Sequence, residues 1–95
     1  MEVSISDIII STAGRDKDLL FYVIGIDGDY VLLANGKERK LEHPKRKKLK
    51  HVRRVTRLES RIADKILSGE KVLNSELRRE LAVFRQTLGQ NQGGQ

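Results

Sequence analysis

Two hairpin signals fall close together in the first half of this chain, Asp27-Gly28-Asp29 and Asn35-Gly36. Asp-Gly and Asn-Gly tolerate the positive φ that tight hairpin turns demand. Short apolar stretches lie around them. Residues 5–13 read as a strand, with Ile8, Ile9 and Ile10 followed by Ser11-Thr12. Residues 19–26 read as a second, with Leu20, Tyr22, Ile24 and Ile26 on one parity. Residues 30–34 form a third, and 37–41 return as a fourth. Pro44 breaks the run, and 49–52 form a short fifth strand flanked by lysines. Strands this short, with turns this close, predict a small β-barrel.

The period then changes. Thr56 and Glu59 make a capping-box signature, and Leu58, Ile62, Ile66 and Leu67 follow at helical spacing. Gly69 is placed to end that helix in a left-handed cap. Asn74 or Ser75 can cap a second helix with Leu77, Leu81, Phe84 and Leu88 on its apolar face. These stripes are expected to pack on each other or on the barrel, with a partner-protein surface as the alternative. Residues 90–95 are polar and Gly-rich and read as a disordered tail. The expected organisation is α+β: a barrel with its basic run over 1–54, a two-helix extension over 55–89, and the tail.

Ninety-five residues suit one small domain. There is no cysteine, hence no disulfide and no thiolate metal site, which fits a reducing cytoplasm. No apolar run approaches the roughly 20 residues of a membrane span. Met1-Glu2-Val3-Ser4 has no basic n-region, which argues against a signal peptide. Catalytic signatures are missing. The only histidines, His43 and His51, sit in a basic run with Glu42 as the one nearby acid, and a histidine pair without further ligands makes a poor metal site. No phosphate-loop pattern occurs. The expectation is a binding protein without enzyme activity, metal or cofactor.

Charge narrows the partner. Ten of the 19 Lys and Arg residues lie between Lys37 and Arg54: Lys37, Arg39, Lys40, Lys45, Arg46, Lys47, Lys48, Lys50, Arg53 and Arg54. Only Glu38 and Glu42 oppose them, so the stretch carries +8 in a chain whose net charge is +6. A solvated surface mixes signs, whereas a polyanion binder clusters one sign to displace counterions from phosphates. A flexible solubility or localisation tract would also be basic, but Leu49 and Val52 offer apolar anchors that would pin these cations to a folded surface. The lysines suit phosphate contacts as point charges, and Arg39, Arg46, Arg53 and Arg54 suit bidentate or stacked ones. With no tryptophan and only Phe21, Tyr22, Tyr30 and Phe84 as aromatics, extensive base stacking of the kind used by single-strand binders is hard to build. The turn Gly14-Arg15-Asp16-Lys17 reads equally as a solvated hairpin, with Gly14 supplying an unusual dihedral, or as a loop presenting Arg15 and Lys17 to a phosphate backbone.

The segment Ile8-Ile9-Ile10-Ser11-Thr12-Ala13-Gly14-Arg15-Asp16-Lys17-Asp18, with Tyr22-Val23-Ile24-Gly25-Ile26 after it, resembles a KOW motif. It is similar to the form found in archaeal and eukaryotic large-subunit ribosomal proteins and in short bacterial KOW-domain RNA-binding proteins. The run Arg39-Lys40-Leu41-Glu42-His43-Pro44-Lys45-Arg46-Lys47-Lys48-Leu49-Lys50-His51 also resembles the bacterial group. The likeness covers about half the chain, roughly Ser6 to Val52. Two positions depart from the pattern. The family often has Gly at the end of the turn, where this chain has Asp18, and Gly before the first strand's Asp, where it has Ser6-Asp7. The resemblance implies an SH3-like β-barrel, followed here by a helical hairpin, that binds structured RNA such as ribosomal RNA or the ribosome. It implies contacts from Arg15, Lys17 and the basic run, His51 included. SH3-like barrels also bind proteins, so docking of a transcription or translation factor, with the C-terminal helices as the arm, is the second expectation.

Overall fold

The computed structural model describes residues 3–93. It is a small α+β protein: strands β1 (Ile8–Ser11), β2 (Leu20–Asp27), β3 (Tyr30–Ala34), β4 (Lys45–Lys48) and β5 (Val52–Thr56), then helices α1 (Arg61–Ser68) and α2 (Asn74–Gly93). One 3-10 turn, Leu49–His51, joins β4 to β5. All strand pairs are antiparallel in the order β4-β3-β2-β1-β5, and among the described residues no ladder closes β4 onto β5.

The sheet has a core on each face. Successive side chains on a strand point to opposite sides, and β2 is buried on both. Phe21 and Val23 pack with Ile9, Val31, Leu33 and Val52 on one face. Leu20 and Tyr22 join Ile8 and Ala34 on the other, beneath Ile62 of α1 and Leu77 and Leu81 of α2. Burying a side chain of this size contributes roughly 1.5–3 kcal/mol. The helical stripes therefore meet each other and the sheet, as their spacing predicts, and the helices share a core with the expected 1–54 unit. Leu67, counted with the apolar stripe, is instead 62% exposed. The Tyr22 hydroxyl donates to Glu80 Oε1 across this core at 2.8 Å. Burial first, and then the Glu80 carboxylate, push its pKa well above the usual tyrosine value.

Several boundaries differ from expectation, each for a local reason. The first strand begins at Ile8 because residues 4–7 turn: Ser6 has φ +79°, and the buried Asp7 carboxylate accepts from the Ser4 amide at 2.8 Å and from Arg57 Nε at 2.8 Å. No strand forms at 37–41. The buried Asn35 side chain folds that segment into a loop, its Oδ1 accepting from the amides of Lys37 and Arg39 at 3.0 Å each. The fourth strand is Lys45–Lys48, inside the basic run, where Lys-Arg-Lys-Lys carries no apolar alternation to betray it. The fifth is Val52–Thr56, and 49–51 are the 3-10 turn. Thr56 thus ends a strand, and Ser60 caps α1, accepting from the Ala63 amide at 3.1 Å. Gly69 ends α1 at φ +77°, as expected.

At the start of α2, neither Asn74 nor Ser75 caps. Glu76 Oε1 reaches back to the Leu73 amide at 3.0 Å, and Asn74 instead accepts from the Leu41 amide at 2.8 Å and donates to Glu42 at 2.7 Å. Of the tail expected over 90–95, residues 90–93 continue α2, and the last two lie outside the described residues. No helix among the described residues is long and apolar enough to cross a membrane.

Candidate nucleic-acid interface

The turn between β1 and β2 is a built structure. Gly14 has φ +83°, where a Cβ would be strained and would meet Lys47 Nζ at 3.4 Å. The Lys17 amide closes on the Gly14 carbonyl at 3.2 Å, and the Asp18 amide returns to the Ser11 carbonyl at 2.8 Å. The buried Ser11 hydroxyl donates to Asp16 Oδ1 at 2.7 Å. Lys47 reaches in from β4, donating to Asp16 Oδ1 at 2.6 Å and to the Ala13 carbonyl at 2.7 Å. Partial burial opposes ionisation of Asp16. The hydrogen bonds from Lys47 and Ser11, with the charges of Lys47 and Lys45, outweigh it and hold the carboxyl below its usual range. Arg15 and Lys17 project from this turn, exposed and without an ion pair among the described residues.

This arrangement divides the basic run. Lys45 and Lys47 stand opposite Leu33 and Val31, on the sheet face that carries the inner core, and Arg46 and Lys48 stand opposite Leu32 and Tyr30 on the other. Lys47 is only 8% exposed and is occupied by the turn, so it does not present its ammonium to a partner. The Arg46 guanidinium carbon sits over the Tyr30 ring, 3.7 Å from its centroid, with Asp27 at 3.4 Å; Lys48 Nζ is 6.0 Å from the same ring. Cations over an aromatic face are held there electrostatically. The 3-10 turn ties the run to the rest of the sheet, since the Leu49 amide donates to Asp29 and the His51 carbonyl accepts from Thr12. Lys48, Lys50, Arg53 and Arg54 are exposed, Lys45 and His51 half-buried. Among the described residues, none of Lys45, Lys48, Lys50, Arg53 and Arg54 forms an ion pair.

The remaining cations of the run sit elsewhere. Lys37, Arg39 and Lys40 belong to the 35–43 loop, which is held against α2 rather than against β4. The Arg78 guanidinium donates to the Gly36 carbonyl at 3.1 Å. Gly36 itself has φ +77°, and a Cβ there would overlap the Asn74 backbone. Its glycine thus serves a close helix–loop approach rather than the hairpin that Asn-Gly predicts. His43 is exposed. No cluster of three or more His, Cys, Asp or Glu that could hold a metal occurs among the described residues.

Three features of the site depend on the fold and not on local sequence. Asp16 and Lys47 are a pair separated by 31 positions, which no local pattern announces. Tyr30 becomes a platform only because β4 pairs with β3. Arg78 and Arg85, which alternate with Glu76 and Glu80 along α2, both reach loops of the sheet domain. Their spacing, seven positions along one helix, was the available signal. No protein-family model matches the chain, and no curated protein matches it either.

Proposed function

We propose that this protein is a non-enzymatic RNA-binding protein that contacts structured RNA, of the ribosomal kind, in the cytoplasm. The carrying observation is the ribbon from β4 through the 3-10 turn to β5. It is built into the sheet, yet it leaves Lys45, Lys48, Lys50, Arg53 and Arg54 without ion pairs among the described residues, beside the Arg46–Tyr30 stack. Cations held on a rigid frame without acidic partners favour a polyanion, and a guanidinium on an aromatic ring offers a plane to an unpaired base.

Backbone geometry supports the KOW-like reading. The only two non-glycine residues with positive φ among those described are Ser6 (+79°) and Asp18 (+74°). These are the two positions where the family pattern often carries Gly. Left-handed geometry at both of these turn positions supports a shared turn architecture, since such geometry is costly for most residues other than Gly. The SH3-like barrel belongs to the same proposal. In its favour are a β1–β5 pair, a single 3-10 turn from β4 to β5, and an inner core of Ile9, Phe21, Val23, Val31, Leu33 and Val52.

The test is titration of a ribosomal RNA hairpin at several salt concentrations, with ribosome co-sedimentation before and after nuclease. The proposal expects a steep loss of affinity with salt and loss of sedimentation after nuclease. A groove between α1 and α2, lined by Leu58, Ile62, Val83 and Phe84, favours factor docking as a second reading. Association that survives both nuclease and high salt would favour that reading over RNA.

A further inference from the structure

A second basic surface lies away from the β4–β5 ribbon. A groove of about 500 Å³ runs between α2, the turn at 14–18 and the loop at 35–38. That volume falls within the roughly 300–1,000 Å³ of small-ligand clefts. Lys17 and Lys37 line it from the two loops, Arg78 and Arg85 line it from α2, and Leu19 and Ala82 contribute apolar surface above the buried Leu20 and Leu81.

The two arginines are pre-positioned. They stand about two turns apart on one helix face, roughly 10 Å along the axis. Arg78 donates one bond to the Gly36 carbonyl at 3.1 Å, and Arg85 donates one to the Asp18 carbonyl at 3.3 Å. A guanidinium has five N–H donors in a fixed fork, so each retains donors directed elsewhere. Neither forms an ion pair with a carboxylate among the described residues. Two acids also line the groove. Glu38 accepts from Asn35 at 2.8 Å and lies 3.9 Å from Lys37, and Asp18 stands at the turn. Four cations against two acids leave the groove positive. Planar forks match phosphate oxygens, and apolar surface between them suits a base or ribose more than a fully hydrated anion.

We infer that this groove seats an unpaired nucleotide of the bound RNA, with Arg78 and Arg85 on its flanking phosphates. The inference rests on the RNA-binding reading and extends it, because it places α2 inside the RNA footprint.

The experiment compares an RNA hairpin with an unpaired loop to a blunt duplex of equal length, by fluorescence anisotropy across a salt series. Arg78→Gln with Arg85→Gln should weaken hairpin binding and lower the salt slope by about 1.4, two contacts at roughly 0.7 each for single strands. Should α2 loosen in that variant, seen as an early thermal melt, Lys17→Gln with Lys37→Gln carries the test, since neither lysine anchors a second element. Duplex binding should fall less than hairpin binding in both variants. Equal sensitivity of the duplex would overturn the assignment of an unpaired nucleotide. So would an oligo-glutamate peptide that binds as tightly as the hairpin and is lost in the same variants, since it would mark an acidic-protein site. Wild-type affinity and slope in both groove variants, alongside lost binding in Lys48→Gln/Lys50→Gln/Arg53→Gln, would remove the groove from the footprint while leaving the RNA-binding reading intact. Absence of any salt-dependent RNA affinity in the unmodified protein would end both.

Discussion

Lys47 and Lys48 are adjacent in sequence and alike in chemistry, yet substituting each with methionine should act on different properties. Lys47→Met removes an ammonium whose side chain is 9% exposed and whose two acceptors lie at 2.6 and 2.7 Å. Asp16, 15% exposed, would keep Ser11 as its only hydrogen-bond donor among those described. Breaking a fully buried pair costs about 3–5 kcal/mol. The residual access of water to Asp16 lowers the expected cost to roughly 2–4 kcal/mol, in line with two hydrogen bonds to charged groups. For a domain of this size that is a fall in Tm of roughly 10–25 °C. Lys48→Met removes an exposed cation whose described contact is the Tyr30 ring at 6.0 Å. It should change stability by less than about 0.5 kcal/mol. Its effect belongs in RNA binding, as a salt slope lower by roughly 0.7–0.9.

Urea and thermal melts followed by circular dichroism, with an RNA titration on each variant, separate the two. If Lys47→Met melts like the parent and lowers the salt slope as much as Lys48→Met, then Lys47 is a phosphate contact and the pinned turn is wrong. Acid adds an independent reading. Asp16 has its folded pKa below the unfolded value of 3.8, so its contribution is present above that value and lost as pH falls through the folded pKa. The parent should therefore lose this part of its stability below about pH 4, and Lys47→Met should show a smaller loss across the same window.

Three further outcomes follow from the backbone and the shared core. Gly36→Ala places a methyl on the Asn74 backbone at a positive φ and should cost about 2–4 kcal/mol in a urea melt; a cost under about 0.5 kcal/mol would mean that the loop does not touch α2 so closely. Asp18→Gly relieves a left-handed residue whose carboxylate makes no described hydrogen bond, at the expense of extra unfolded-state freedom, so it should stabilise by about 0.5–1 kcal/mol. A destabilised variant would refute the strain argument. A chain ending at residue 56 strips Ile62, Leu77 and Leu81 from Ile8, Leu20, Tyr22 and Ala34. It should lose cooperative melting, and a sharp melt near the parent's would show that the sheet stands alone.

Much of the architecture was legible from local chemistry. The β-branched run Ile8-Ile9-Ile10 marked β1, short apolar stretches marked β2 and β3, Asp27-Gly28 marked one hairpin, and the change of period marked two helices with Gly69 closing the first. Those signals act over a few residues, through dihedral preference and side-chain periodicity, so they survive without tertiary context. The clustering of charge is likewise legible in the sequence, where residues 37–54 carry +8. The fourth strand was invisible because its stabilisation is not local: Lys-Arg-Lys-Lys becomes a strand by pairing with β3, stacking Arg46 on Tyr30 and inserting Lys47 beside Asp16. The same distinction governs the cations. Sequence counts Lys47 and Lys48 alike, and places Arg78 and Arg85 far from the basic run. Folding decides which ammonium is buried in a turn, which stays open, and which helical arginines arrive beside Lys17 and Lys37, because burial and pairing depend on neighbours tens of residues away along the chain.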